Sequence, residues 1–425
     1  MKVLVIGSGG REHALVWAMS KSPKVKTIYC YPGNAGIVHL AECPKLPSSK
    51  VSSIADWAQA EQIDLTVVGP EAYLAQGIVD EFEGRGLRIF GPSKRAAQLE
   101  SSKVFAKELM RKYGIPTADY RVFSDLEKAL DYVTSATLPI VIKADGLAAG
   151  KGVIVAATRE VAQGALLDLM ADKVFGQAGE QVVIEEFLQG EEASLLAFTD
   201  GKTIIPMVSA QDHKQIYEGG QGPNTGGMGA YSPTPVLNEA LIQEVYNQIL
   251  VPTVAGLRKE GILYKGVIYA GLMVHQGKAK VVEFNCRFGD PEAQVVLTRL
   301  LTDLVDVMDA VIDECLEEIE LRWDQRAAVC VILASGGYPG EYRKGYPISG
   351  LADVEGMQDV YVFHSGTRFE DEDMVTDGGR VLGVTALDLD VSEAIKRTYA
   401  AVEQIQFKDA YYRKDIASRA LESLD

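Results

Sequence analysis

The sequence predicts a multidomain α/β protein. A parallel-sheet domain comes first, then a central body with a small β-rich lobe, then a small α/β domain. Three observations predict it. At 425 residues the chain has room for roughly three domains of ~150 residues. Residues 1–95 alternate short apolar runs with amphipathic segments, the pattern of βαβ units. From about residue 115 the pattern turns to strands with few helices, and a separate block of strands opens at 327.

The apolar runs 3–6, 25–30, 63–68 and 87–90 are each followed by a Gly-bearing turn. Each reads as a buried parallel strand whose C-terminal end faces a ligand crevice. Residues 96–112, rich in Lys, Ala, Glu and Leu, read as a helix. Strands follow at 141–143, 152–156, 181–186 and 193–198, with helical patterns near 125–134 and 160–171. Residues 218–229 read as a Gly-rich loop, 266–274 and 279–284 as a strand pair, and 292–316 as helix. The last block holds strands at 328–334, 360–364 and 381–387 and a helix near 391–404. These changes divide the chain into 1–102, 103–326 and 327–425.

Lys and Arg number 42 against 59 Asp and Glu, a net charge of −17. That surplus repels phosphate backbones and anionic lipid, which argues against nucleic acid and membrane as partners. A phosphorylated ligand then needs a few local cations and backbone N–H groups. No apolar run approaches the ~20 residues of a membrane span, and the run before Gly7 is too short for a signal-peptide core. The five cysteines form no C-x-x-C pair, and their odd number fits reduced thiols, so a cytoplasmic location is expected. The five scattered histidines give no zinc pattern.

Gly7-Ser8-Gly9-Gly10-Arg11-Glu12 follows a strand and opens a helix. A dinucleotide fingerprint needs Gly at 12 and an acid after the second strand; Glu12 and Tyr31-Pro32-Gly33-Asn34 stand there instead. NAD is therefore disfavoured, while the helix start, with Arg11, still suits an anion. Gly33, Asn34, Gly69, Pro70 and Glu71 crowd the same sheet edge. A turn serving only helix–strand packing is the plainer alternative.

Residues 145–152, DGLAAGKG, miss the P-loop spacing by one residue and run into a strand. They read as a Gly-rich loop between antiparallel strands, able to fold over phosphates with Lys143 beside it; a plain hairpin looks the same. Glu185-Glu186-Phe187-Leu188, ending a strand, can offer backbone groups to an adenine edge, and a nearby carboxylate can meet ribose; a solvated acidic turn is the plainer alternative. In 281–292, period-2 geometry puts Glu283, Asn285 and Arg287 on one face and Phe284, Cys286 and Phe288 on the other. Two hard oxygen donors two residues apart suit Mg²⁺ shared with substrate phosphates, and Arg287 can clamp an anion. Residues 211–231 hold six glycines between 219 and 229, interleaved with polar and aromatic residues, and read as a shaped loop for a phosphorylated sugar with Lys214 as counter-charge.

Together these segments resemble the ATP-grasp ligases, and among them the phosphoribosylamine–glycine ligase family. The resemblance covers the whole chain. It is carried by VLVIGSGGREHAL, GPEAYLAQG, IKADGLAAGKGV, EEFLQGEEASLLAFTDG, QDHKQIYEGGQGPNTGGMGAYSP and EFNCRFGDPE in that order. It implies a Rossmann-like first domain, an ATP-grasp domain with a mobile lid lobe at about 121–190, and a C-terminal domain closing over the site. It implies that ATP phosphorylates glycine and that the amine of 5-phosphoribosylamine then expels phosphate, giving glycinamide ribonucleotide in de novo purine biosynthesis.

By the same resemblance Glu283 and Asn285 hold Mg²⁺ or Mn²⁺. Lys103, Lys143, Gly146, Gly150 and Gly152 meet the ATP phosphates, Glu185, Glu186 and Leu188 the adenine, and Glu192 the ribose. Arg287 and Asp212 take the catalytic places. Gly9, Gly10, Arg11, Gly33, Asn34, Pro70 and Glu71, with Lys214, Asn224, Thr225, Gly226, Gly227 and Met228, face glycine and the sugar phosphate. A monomer or weak dimer is expected. Two other readings stay open at this point: a different ATP-grasp carboxylate–amine ligase, and a non-catalytic nucleotide-binding sensor.

Overall fold

The strands Lys2–Gly7, Thr27–Pro32, Leu65–Val68 and Ile89–Phe90 pair in parallel, in the order second, first, third, fourth. Val3–Ile6 are fully buried, as a strand covered on both faces requires. The computed structural model describes residues 1–147, 152–172 and 179–422.

Residues 96–112 do not form one helix. Helices Gln98–Ser101 and Lys103–Tyr113 meet at Ser102, whose backbone is extended and whose hydroxyl accepts the Phe105 N–H at 3.0 Å. Such a cap is worth about 1 kcal/mol. It outweighs the continuous helix-forming composition on either side. The predicted helix 292–316 is likewise broken, into Glu292–Arg299 and Leu304–Ile312, with Asp303 capping the second.

Strands Tyr120–Phe123, Ile140–Ala144, Val153–Ala156 and Val182–Glu186 form an antiparallel sheet of their own, backed by helices Leu126–Ser135 and Arg159–Leu166. Ala129, Val133, Ile142, Ala162, Leu166 and Ile184 form its separate core. This lobe stands over a central antiparallel sheet built from Ile204–Pro206, Glu191–Thr199, Gly266–His275 and Lys278–Asn285, in that order.

The hairpin Gly266–His275/Lys278–Asn285 turns through Gln276 and Gly277, both with positive φ, as a two-residue turn joining twisted strands demands. The register then shifts: Leu272 pairs with Val281 but Gly271 with Glu283, so Val282 is one residue extra. This bulge frees the Val282 carbonyl, which accepts from Lys143 Nζ at 3.0 Å.

The glycine-rich stretch is not a simple loop. Gln215–Tyr217 and Gln221–Asn224 form a hairpin, while Gln211–Asp212 and Gly229–Ser232 join the sheet of Ala327–Ser335, Arg380–Asp388 and Val360–His364. The segment is thereby built onto the C-terminal sheet.

Candidate active site

The carboxyl end of strand Lys278–Asn285 is where the lid, the central sheet and the two outer sheets converge. Beyond the bulge, Phe284, Cys286 and Phe288 are buried while Glu283, Asn285 and Arg287 face the cleft, as the alternation predicts. Lys214 lies across from them, with Nζ 2.8 Å from Glu192 Oε2 and 3.7 Å from Glu283 Oε1. Burial by itself would raise the Glu283 carboxyl, but Lys214, Lys143, Lys103 and Arg287 hold it below the ordinary glutamate value. Asp212 is pushed up to about 8, by burial first, with Glu292, Glu192 and Glu283 adding to the rise and Lys214 opposing it.

Arg287 is gripped by its neighbours. Its Nη2 lies 2.8 Å from Glu100 Oε1 and 3.1 Å from Asn285 Oδ1, and its Nε 3.1 Å from Glu71 Oε2. Glu71 opens helix Glu71–Gln76 just after Pro70, so this contact ties the N-terminal sheet edge to the central strand. Burial would raise Glu71, yet Arg287 and Arg11 bring it down to about 2.

On the lid side Lys143 and Lys107 share one carboxylate. Their Nζ atoms lie 3.0 and 3.2 Å from Glu185 Oε2, all three groups are buried, and Glu185 Oε1 has no partner. Lys103 Nζ donates to the Gly146 carbonyl at 2.6 Å. The Glu186 carboxylate points the other way, to Lys280 Nζ at 2.8 Å and the Asp119 N–H at 3.1 Å. Phe187 and Leu188 follow as the connection to the central sheet, and Gly190 there has φ +136° and packs on the Val274 carbonyl. Gly152 is buried; Gly150 lies outside the described residues.

At the N-terminal sheet edge Glu12 fills the space under the glycines. Its Oε2 accepts the Gly9 N–H at 2.6 Å, and a Cβ on Gly69 would stand 2.0 Å from its Oε1. Arg11 is buried, committed to Glu12 Oε1 at 2.6 Å and the Phe288 carbonyl at 3.1 Å, rather than open as a counter-charge. Gly10 packs against Gln294 and Ser365. Gly33 has φ +73° with Cys43 against it, and Asn34 Nδ2 spans the Ser8 and His364 carbonyls, both at 2.7 Å.

Thr225, Gly226 and Gly227 stand between Lys214 and Asp290. Asn224 is exposed at the hairpin end. Met228 does not face the cleft: its side chain is fully buried in the C-terminal core, because the chain here enters a sheet strand. Sequence reasoning missed Glu100, Lys107, Tyr269 and Arg380. Tyr269 OH bonds both Ser194 Oγ, at 2.7 Å, and the buried Glu292 carboxylate. Glu292 ends the 281–292 motif, and its place there was the available signal.

Glu283 and Asn285 fit a hard divalent cation. The carboxylate is held ionised, and Asn285 Oδ1 keeps a second lone pair beside its bond from Arg287. Among the described residues no group of three or more His, Cys, Asp or Glu could hold a metal by itself. Phosphate oxygens and water would complete the shell.

A lid sheet over a central antiparallel sheet, with cations and a carboxylate–amide pair between them, defines an ATP-grasp enzyme. Models of the phosphoribosylglycinamide synthetase N domain, ATP-grasp (A) domain and C domain match residues 1–100, 101–293 and 328–419. The chain belongs to the phosphoribosylglycinamide synthetase family. It is 51% identical to the phosphoribosylamine--glycine ligase of Halalkalibacterium halodurans over 99% of this chain and 97% of that one. It is also 51% identical to that of Escherichia coli K12, over 99% of both. The crystal structure of phosphoribosylamine--glycine ligase from Thermotoga maritima superposes with a TM-score of 0.84 at 33% identity, covering 98% of this chain and 100% of that one. The biotin carboxylase domain of a 2-oxoglutarate carboxylase from Hydrogenobacter thermophilus matches at TM-score 0.74 and 16% identity, over 97% of this chain and 91% of that one, and shares the fold.

Proposed function

We propose that the chain ligates glycine to 5-phosphoribosylamine at the expense of ATP, giving glycinamide ribonucleotide, ADP and phosphate. The observation that carries this is the Glu283/Asn285/Arg287 face opposite Lys214, intact in a family member of matching length. It also argues against a nucleotide sensor, which has no use for a charged face at the phosphate end.

ATP would lie under the lid, adenine against 186–188 and phosphates toward Lys143 and Lys103. These lysines neutralise charge as the γ-phosphoryl group moves to the glycine carboxylate, a step that asks for positioning more than covalent help. Glu283 and Asn285 would hold Mg²⁺ or Mn²⁺, which would draw charge from the transferring phosphoryl oxygens. Arg287, fixed by Glu71 and Glu100, orients the anionic end of glycine. The acceptor amine then attacks the glycyl phosphate carbonyl, the C–O bond to phosphate breaks, and the amide nitrogen loses a proton. The departing phosphate can take up that proton. The lid shields the acyl phosphate from water.

The N-terminal glycine turn, at Gly10 and Asn34, faces the sugar phosphate; the Gly9 and Gly33 N–H groups are already given to Glu12 Oε2 and the Gly7 carbonyl. The test is phosphate release from ATP with glycine and 5-phosphoribosylamine each omitted in turn. Release that needs both supports the reading; release with neither present overturns it.

A further inference from the structure

One cation of the C-terminal sheet reaches this cleft without a part in the scheme above. Arg380 opens strand Arg380–Asp388, and its guanidinium bonds only outward. Nη1 donates to the carbonyls of Gly226, at 2.6 Å, and Asp290, at 2.7 Å; Nη2 donates to Asp290 Oδ2 at 3.0 Å. Gly226 needs no left-handed backbone, yet a Cβ there would stand 2.8 Å from Arg380 Cζ. A side chain there would press on the guanidinium. Tyr338 OH accepts the Gly226 N–H at 3.0 Å, and Gly379, beside Arg380, leaves room for the Tyr338 ring.

The far end of the same turn carries Lys214. Thr225 N–H and Oγ1–H both donate to the Lys214 carbonyl, at 2.7 and 2.8 Å, and the Gly227 N–H donates to Thr225 Oγ1 at 2.9 Å. Asp290 in turn accepts from Gln294 Nε2 at 2.8 Å, and Gln294 packs on Gly10. One guanidinium therefore braces the turn behind Lys214 and the carboxylate behind the N-terminal glycines.

Resting on the ligase reading, we infer that Arg380 is a positioning residue for the glycine and sugar-phosphate half of the reaction, holding the 225–227 turn and Asp290 in register across three sheets. Arg380→Ala should raise KM for glycine and for 5-phosphoribosylamine by about tenfold or more, while ATP affinity by calorimetry stays within about twofold. Arg380→Lys keeps the charge but lacks the fork, so it should recover the loss only in part. Gly226→Ala, which pushes on the guanidinium, should raise the same two KM values, and should add little when combined with Arg380→Ala.

Unchanged KM values in Arg380→Ala would overturn the inference. So would a parallel loss of ATP affinity and thermal midpoint in both Arg380 variants, which marks a merely structural clasp, or additive effects in the double variant. Failure of the unaltered enzyme to ligate would instead strike the ligase reading itself.

Discussion

The Lys214 ammonium stands 3.7 Å from the Glu283 carboxylate and closer still to Glu192, so one cation serves two acids at the phosphate end of the cleft. Glu283 is the charged member of the carboxylate–amide pair that fits the cation. Glu283→Gln should therefore cut ligation about a thousandfold at saturating Mg²⁺ with the thermal midpoint unchanged. ADP formation and calorimetry check both halves; near-normal turnover would remove Glu283 from the metal role.

Glu185 is buried between Lys143 and Lys107. Burial brings Lys107 down to about 8, and Glu185 is the first group opposing that fall. Glu185→Ala leaves two buried ammonium groups facing each other, and should cost about 3 kcal/mol or more in urea unfolding. A loss under about 1 kcal/mol, the range of exposed pairs, would show that water already reaches these lysines.

Acid should loosen the contact between the outer domains. The His364 N–H donates to His13 Nδ1 at 2.8 Å. Burial, helped by His364 and His39, lowers His13 to about 3, and burial with His39 lowers His364 to about 4. Between the unfolded value near 6.5 and these folded values the unfolded chain binds more protons. Their contribution is thus full above about pH 6.5 and is lost as pH falls toward 4. His13→Gln keeps an acceptor for the His364 N–H and should flatten the decline in unfolding free energy between about pH 6.5 and 4.5. An unaltered slope would mean His13 does not titrate on unfolding.

Glu12 lies against Gly7 and Gly69, so a carboxylate stands where the dinucleotide fingerprint has its third glycine. Calorimetry should therefore find binding of ribose 5-phosphate and none of NAD. Tight NAD binding would reverse this account of the N-terminal edge.

The central strand was legible because a two-residue period is a local property: Glu283, Asn285 and Arg287 had to share a face once Phe284 and Cys286 were buried. The parallel N-terminal sheet was legible from apolar runs closed by glycines. Other features depend on distant partners. Lys107 looks like a solvated helix lysine until Glu185, from another lobe, is placed against it. Arg380 bonds residues 90 and 154 positions away, with no pattern around it to say so. Met228, set among glycines, reads as ligand-facing, yet strand geometry turns it into the core. Ser102 broke a helix that composition alone would continue, because its cap and its bond to Asp145 Oδ2 at 3.3 Å are single-residue effects.

The defining step of this ligation is the activation of the glycine carboxylate by ATP. Turnover with glycine carrying ¹⁸O in its carboxylate tests it most directly, by mass analysis of the released phosphate. One labelled oxygen should appear per phosphate formed, carried over when the amine displaces the acyl phosphate. Phosphate free of label, with glycinamide ribonucleotide still produced, would contradict it.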